Sequence, residues 1–305
     1  MKQLLFPIVL LAVCMPLWAE EIKHRFLAVD ESRDLLLYVD QTDASKDWDL
    51  KLPAKHRDIQ LIGKNRVMLS SPDGYREFDL ADRKMVKAVK GYAGAMSARR
   101  LANGNTILAR NFEGVTVHEL GADDKEIRKV NFKGYATRVV RLSPKGTLLF
   151  GSGNQTLEGD WNGEVKKITV PGAKAWAYQS LRKPDGNLLV SGGYNPTIFE
   201  LGPDGKVVKT WGGKETPDGK TLGYYFFGAM QVLKSGDLMV CNWTGHGAQD
   251  SAKGAQILQF NKDGQVVWKW HDPKRAGSIH GIIVLDDLDT SVLNDDVSYV
   301  LGPVK

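Results

Sequence analysis

The chain has 305 residues, of which 42% are hydrophobic and 25% are charged, with 32 glycines and only 2 cysteines. These values exclude an intrinsically disordered chain and a small disulfide-held domain, and they indicate a sizeable hydrophobic core. The net charge of +5 comes from 41 basic and 36 acidic residues without a lysine- or arginine-rich block, so we expect no nucleic-acid partner.

The first 19 residues have the features of a secretory signal peptide. Lys2 precedes an apolar run over residues 4–18, and Ala19 stands before two glutamates. The run is short for a membrane-spanning helix, so we expect cleavage after Ala19, export to the periplasm or the extracellular space, and no membrane span afterwards. An alternative is a lipoprotein signal that ends at Cys14. Cleavage after Ala19 leaves Cys241 as the remaining cysteine and therefore predicts no internal disulfide.

From residue 25 onward, short apolar segments alternate with glycine-bearing turns. Five such segments follow a turn glycine and recur about every 40 residues, at 66–69, 106–109, 147–150, 187–190 and 237–240. A second set of turns comes later in each unit, for example at Asp204-Gly205 and Asp263-Gly264, and these pairs are strong hairpin signals. Four strands and two tight turns per unit predict the four-stranded antiparallel blades of an all-β propeller.

The number of blades follows from the strands at the two ends of the chain. Five full units start near His56, Met96, Thr137, Trp176 and Gly228. A further strand at 279–285 lacks partners, as do three strands at 25–29, 35–39 and 48–52. Joining them predicts a six-bladed ring whose last blade combines the N-terminal strands with the C-terminal strand. The predicted organisation is a signal peptide at 1–19, a propeller at 20–290 and a C-terminal tail at 291–305, in a monomeric protein.

Three stretches carry the repeat most clearly: 101–109 (LANGNTILA), 184–191 (PDGNLLVS) and 262–270 (KDGQVVWKW). They resemble the repeats of secreted bacterial six-bladed propellers described as PQQ-like or arylsulfotransferase-like, and the resemblance covers residues 25–290. It implies the fold but not PQQ itself, because enzymes that use PQQ resemble longer, eight-bladed propellers; the cofactor stays unknown. The stretch 241–247 (CNWTGHG) resembles an Asn-Trp-x-Gly-His element in members of unassigned function.

Loop lengths indicate which end of the ring carries a functional site. In an antiparallel blade with strands A to D from the axis outward, the A–B and C–D turns lie at one end. The B–C loops and the D–A connections between blades lie at the other end. Two long insertions, at 211–227 and 242–255, both fall at this second end. Because binding residues concentrate on variable loops of rigid scaffolds, we predict a loop-lined funnel there that binds a small or extended ligand.

Histidines and arginines supply the candidate chemistry at this end. Alignment of the first strands places His56 and His280 at equivalent positions near the channel, and His246 lies on an inserted loop. We predict catalytic roles for these three histidines, and a clamp for a carboxylate or sulfate formed by Arg57 and Arg138. The other candidate ligand-binding residues on the same loops are Asn111, Asn154, Trp176, Tyr194, Tyr224, Asn242 and Trp243. No residue is assigned to a metal.

Three functions are compatible with these residues. The first is a binding module for a small-molecule or polymeric ligand. The second, implied by the arylsulfotransferase-like resemblance, is a transferase or hydrolase in which a histidine is the nucleophile or general base. The third is a lactonase-like metal enzyme that uses Asn111, Asn154 and Asp58. Structural roles compete with all three, since aromatic side chains can wedge between blades and Asn242 can cap its loop through backbone hydrogen bonds.

Overall fold

A computed structural model describes residues 21–172 and 174–304 and contains six four-stranded antiparallel sheets arranged as the blades of a ring. The fold prediction is confirmed, including the number of blades. The predicted signal peptide at 1–19 lies outside the described residues. Within those residues, no helix is long and apolar enough to cross a membrane.

The closing blade begins the chain with β1 (Arg25–Asp30), β2 (Leu35–Asp40) and β3 (Trp48–Lys51). Blade 1 contains β4 (Ile59–Gly63), β5 (Arg66–Ser71), β6 (Gly74–Asp79) and β7 (Met85–Lys90). Blade 2 contains β8 (Ala95–Arg100), β9 (Thr106–Asn111), β10 (Val115–Leu120) and β11 (Glu126–Phe132). Blade 3 contains β12 (Val140–Leu142), β13 (Leu148–Ser152), β14 (Gln155–Gly159) and β15 (Val165–Thr169).

Blade 4 contains β16 (Ser180–Arg182), β17 (Leu188–Ser191), β18 (Thr197–Leu201) and β19 (Val207–Gly212). Blade 5 contains β20 (Phe226–Val232), β21 (Leu238–Trp243), β22 (Ile257–Phe260) and β23 (Val266–Trp270). The closing blade is completed by β24 (Ile279–Val284), and the tail forms β25 (Asn294–Asp295) and β26 (Gly302–Pro303). Among the described residues, the helical segments are α1 (Pro217–Thr221) and two short 3-10 helices, Ala44–Lys46 and Ala248–Lys253.

The ring is closed by pairing of the two chain ends. Strand β24 is the innermost strand of the closing blade, and it pairs antiparallel with β1, with Phe26 opposite Val284. Beside this seam, the His24 side chain contacts Asp286 at 2.5 Å and Gln259 at 2.8 Å. The closure predicted from the unpaired terminal strands is therefore confirmed, and it leaves β1 and β24 with a hydrogen-bonded neighbour instead of an open edge.

Glutamine side chains join neighbouring blades around the axis. Gln179 of blade 4 accepts a hydrogen bond from the Met230 amide at 2.9 Å and donates one to the Met230 carbonyl at 3.0 Å. Gln231 of blade 5 makes the same pair of bonds to Val284, and Gln60 of blade 1 makes it to Arg100. The amide side chain offers one acceptor and two donors, so it satisfies both backbone groups of a facing strand.

The C-terminal tail lies across the end of the ring that carries the A–B turns. Leu293 bridges to Ile62, next to the turn between β4 and β5. From this position Asp296 enters the central channel, where its carboxylate lies 2.9 Å from Arg141 and 3.2 Å from Arg99. Arg141 also binds Asp58 at 2.8 Å, so buried opposite charges alternate across the channel. The tail thereby occupies the channel at this end.

The two insertions pack against each other at the opposite end, as the loop lengths predict. In the first, Thr216 caps α1 by accepting a hydrogen bond from the Gly219 amide at 3.0 Å, and Pro217 occupies the first helical turn. The second contains the 3-10 helix Ala248–Lys253, and its Ala255 amide donates to the Leu222 carbonyl at 2.8 Å. This contact holds the two loops together above blade 5.

Candidate functional site

A cavity opens at the end of the ring that carries the two insertions. Its volume is about 140 Å³. Its lining combines five aromatic residues with two arginines and two histidines, namely Trp176, Tyr178, Tyr194, Phe226, Trp243, Arg57, Arg138, His246 and His280. We call this space the aromatic cavity. A concave, mostly apolar space with a few convergent polar groups is the usual form of a small-molecule site.

The propeller topology brings these residues together from several blades. Arg57 and Arg138 precede β4 and β12, the innermost strands of blades 1 and 3, so both stand where a connection enters the channel. Trp176 precedes β16 in the same way, and its amide donates to the Gly192 carbonyl at 2.9 Å. Tyr194 lies in the B–C loop between β17 and β18. All of these positions belong to the end with D–A connections and B–C loops, opposite the tail.

The aromatic side chains form one continuous wall. Tyr194 contacts Phe226 edge to face, with ring centroids 4.7 Å apart, and Trp243 contacts His246 in the same way at 4.6 Å. Trp243 also lies 5.6 Å from the His280 ring. Trp176 is 37% exposed and Tyr194 is 40% exposed, so the wall continues to the mouth. Such rings offer flat apolar area at little conformational cost.

A buried polar group forms the floor of the aromatic cavity. Glu31, which follows β1 and is 3% exposed, has one carboxylate oxygen 2.5 Å from Arg57 and the other 2.6 Å from Nε2 of His280. The contact with His280 is a close approach without hydrogen-bond alignment, because no aligned donor of the described residues reaches that oxygen of Glu31. The hydroxyl of Tyr178 lies 3.2 Å from Nδ1 of His280, and the two rings are stacked within 13° of parallel.

These contacts set the charge states of the floor. Burial raises the pKa of Glu31, but the approach of His280 and the charge of Arg57 outweigh it and hold that pKa well below its usual range. Burial lowers the pKa of His280 despite the Glu31 carboxylate, and the charges of Arg57 and Arg138 lower it further. Glu31 is therefore ionised and His280 neutral at pH 7. Nε2 of His280 faces Glu31, and Nδ1 faces the Tyr178 hydroxyl.

Arg138 is a positively charged residue of the cavity that has no side-chain partner among the described residues. Its side chain makes no salt bridge or hydrogen bond with any residue within 21–172 and 174–304, whereas Arg57 binds Glu31. Burial, and then repulsion by Arg57, lowers the pKa of Arg138, but an arginine stays protonated at neutral pH. The arginines and Glu31 together give the floor a net positive charge.

The structure brings together most of the residues predicted from the sequence. Seven of them line the aromatic cavity: Arg57, Arg138, Trp176, Tyr194, Trp243, His246 and His280. The sequence prediction missed Glu31, Tyr178 and Phe226. A signal for Glu31 was present, since the blade count places it in the B–C loop of the closing blade, at the same end as the insertions.

The other predicted residues have different environments. His56 does not line the aromatic cavity: it is buried against Phe78, its Nδ1 contacts the Ala54 carbonyl, and burial lowers its pKa to about 4. The sequence predicted that His56 and His280 would both lie near the channel. His56 instead lies in the core, and its neighbour Arg57 faces the cavity. Tyr224 is likewise in the core, packed on Phe227 with ring centroids 5.1 Å apart.

Of the three predicted asparagines, two form hydrogen bonds with the backbone and one faces solvent. Asn242 is fully buried, accepts from the Tyr225 amide at 2.8 Å and donates to the Ala255 carbonyl at 2.7 Å, so it caps its loop as the alternative interpretation holds. Asn111 bonds both backbone groups of Thr137. Asn154 is exposed. None of the three lines the aromatic cavity.

A lactonase-like metal centre finds little support in these positions. Both oxygens of Asp58 bind Arg141, and one also accepts from Ser97, so this carboxylate is occupied by protein partners. Throughout residues 21–172 and 174–304, no group of three or more His, Cys, Asp or Glu side chains is placed to hold a metal ion.

Fold and cavity together define a six-bladed β-propeller with an aromatic, positively charged cavity at one end. No protein-family model and no curated protein matches the chain. Among solved structures, it is similar to a protein of unknown function from Bacteroides caccae, with a TM-score of 0.74 and 18% identity over 87% of this chain and 100% of that one.

Two further similar structures are lyases. One is described as a streptogramin B lyase (TM-score 0.57, 14% identity, 82% of this chain and 80% of that one). The other is a catalytically inactive histidine-to-alanine variant of virginiamycin B lyase from Staphylococcus aureus, with quinupristin (TM-score 0.54, 13% identity, 82% and 85%). At these identities the similarity establishes the fold alone.

Proposed function

We propose that the protein binds a small or extended ligand in the aromatic cavity, and that the ligand carries an anionic group and a flat ring. The observation that carries this proposal is Arg138, a half-buried cation without a carboxylate partner among the described residues, beside a wall of aromatic rings. A carboxylate or sulfate would supply the missing charge, and the rings would stack on the flat part.

Calorimetry with phenylpyruvate, an aromatic carboxylate, tests this proposal. We expect Arg138→Gln to weaken binding by about 10- to 100-fold, the usual value of a hydrogen bond to a charged group. Lys145→Gln is the matched control, because Lys145 is an exposed cation on an A–B turn at the other end of the ring. Equal affinity in wild type and Arg138→Gln, or equally tight binding of uncharged phenylacetone, would contradict the proposal.

A second candidate is a histidine-dependent transferase or hydrolase at the same cavity, in line with the arylsulfotransferase-like repeats. His246 favours it, because this exposed imidazole lines the cavity against Trp243 and forms no hydrogen bond within the described part of the chain. Release of 4-nitrophenolate from 4-nitrophenyl sulfate, lost in His246→Ala, would support this candidate. Unchanged release in His246→Ala would exclude that histidine as the nucleophile.

We further propose that residues 1–19 direct export and that the protein acts as a monomer without a nucleic-acid or membrane partner. The apolar run after Lys2 and the small residue at Ala19 support export. N-terminal sequencing of the protein from a periplasmic or culture fraction should start at Glu20, and light scattering should give the mass of one chain. Retention of Met1 in the cytoplasmic fraction alone would contradict the proposed export.

A further inference from the structure

Glu31 is paired with one of the two arginines on the cavity floor and not with the other. Its carboxylate lies 2.5 Å from the Arg57 guanidinium, whereas Arg138 forms no salt bridge with any residue within 21–172 and 174–304. Glu31 is 3% exposed and does not line the aromatic cavity, so a ligand there does not touch it. It still acts on a ligand through its charge, because charges in a poorly hydrated site are weakly screened.

The backbone around Glu31 holds this charge in place. Its amide donates to the Ser278 carbonyl at 2.9 Å, which joins the residue after β1 to the residue before β24. The side chain of the preceding residue, Asp30, accepts hydrogen bonds from the amides of Ser32 at 2.9 Å and Gly277 at 2.5 Å. The Glu31 carboxylate is therefore positioned by the same seam that closes the ring.

The groups of the floor together carry a single positive charge. Arg57 and Arg138 are positive, and Glu31 is negative because it is ionised at pH 7. Burial lowers the pKa of His280 and raises the pKa of Tyr178, so both side chains are neutral at pH 7. An anion that binds at Arg138 therefore meets one uncompensated positive charge.

Three other charged or titratable groups surround the floor. Lys55 attracts Glu31, but it is exposed and does not line the aromatic cavity, so solvent screens its charge. Both oxygens of Asp58 bind Arg141. His246 is exposed and lines the cavity against Trp243. The two arginines and Glu31 therefore set the charge that a ligand meets on the floor.

We propose that Glu31 determines specificity by making the aromatic cavity select singly charged anions, such as carboxylates and sulfate esters, over doubly charged phosphate monoesters. This inference rests on the proposed ligand site. A monoanion at Arg138 balances the single positive charge of the floor. A dianion would leave one negative charge unbalanced near the Glu31 carboxylate, and like charges brought together in a desolvated site are costly.

Phenyl sulfate and phenyl phosphate test this selectivity in the wild-type protein. Both present a phenyl ring and a tetrahedral group with three terminal oxygens, but the sulfate stays a monoanion while the phosphate loses its second proton at about pH 6. We expect the ratio of the two affinities, sulfate over phosphate, to rise by about 10-fold or more between about pH 5 and about pH 8, as measured by calorimetry. Because phenyl sulfate keeps its charge, its affinity corrects for titration of His246.

Glu31→Gln tests the residue itself. The glutamine keeps an acceptor for Arg57 but removes the negative charge, so the floor gains one positive unit. At about pH 8, phenyl phosphate should therefore bind this variant at least as tightly as phenyl sulfate. Glu164→Gln is the matched control and should keep the wild-type ratio, because Glu164 is exposed on the turn between β14 and β15 at the other end of the ring.

The outcomes distinguish the selectivity from the ligand site. A ratio that does not change with pH in wild type, or that is the same in wild type and Glu31→Gln at about pH 8, overturns the selectivity and leaves the proposed ligand site intact. Loss of both ligands from folded Glu31→Gln also overturns it, since Glu31 would then be needed for binding itself. If Glu31→Gln does not fold, the wild-type comparison decides. Absence of binding of phenyl sulfate, phenyl phosphate and phenylpyruvate to wild type overturns both proposals.

Discussion

Charge removal at Asp296 is the sharpest test of how the tail is attached. The Asp296 carboxylate is buried and binds Arg141 at 2.9 Å and Arg99 at 3.2 Å. In Asp296→Asn the two arginines would share one remaining carboxylate, that of Asp58, at 2.8 Å from Arg141 and 4.0 Å from Arg99. Loss of one partner from a buried pair typically costs about 3–5 kcal/mol. Because Asp58 still compensates Arg141, we expect about 2–4 kcal/mol.

Urea unfolding followed by tryptophan fluorescence measures this loss. With an m value of about 3 kcal/mol/M, the midpoint should fall by about 0.7–1.3 M. The neighbouring Asp295→Asn is the control: burial raises the pKa of Asp295, and no basic side chain of the described residues forms a salt bridge with it. A neutral amide there should leave the free energy of unfolding unchanged or slightly higher. A loss below about 1 kcal/mol in Asp296→Asn, or equal losses in both variants, would refute the reasoning.

Three further variants test separate contacts. Burial lowers the pKa of His24, but its hydrogen bonds with Asp286 and Gln259 outweigh burial and raise the pKa overall. The protonated imidazole therefore stabilises the folded state fully below the usual pKa of 6.5, and this contribution is lost as the pH rises through the raised pKa. His24→Gln should therefore lower the free energy of unfolding more at about pH 5.5 than at about pH 8.5; an equal loss at both would contradict this. Gln179→Leu should lower the free energy of unfolding by about 1–3 kcal/mol for each backbone group of Met230 left without a partner, as measured by denaturation. Tyr224→Phe should leave thermal stability unchanged or raised, since the buried Tyr224 hydroxyl has no hydrogen-bond partner among the described residues; a clear loss of stability would contradict this.

The fold could be predicted because its determinants are local and repeated. A glycine turn followed by a short apolar strand indicates each full blade. The strands at the two ends of the chain would lack partners unless they paired with each other. The end that carries the cavity could also be predicted, since the topology fixes which loops meet there and insertions such as 211–227 are visible as extra length. Seven candidate residues reached the cavity for this reason.

The remaining details depend on side-chain direction and on contacts between distant residues. In an irregular connection, a shift of one or two residues decides between core and cavity, as with His56 against Arg57 and Tyr224 against Phe226. Glu31 lies in the B–C loop of the closing blade, outside the two long insertions, so no extra loop length marks it as a site residue. The bonds of Asp296 across the channel depend on where the tail folds back, and no local pattern in the sequence specifies this.

The seam between β1 and β24 has a consequence for how the protein reaches its native state. The innermost strand of the closing blade is synthesised after the other five blades, while its three partners are synthesised before them. A nascent chain therefore carries an incomplete sheet until β24 has been made, and contacts across such a long stretch of sequence form slowly. Closure of the ring is thus expected to be a late step of folding.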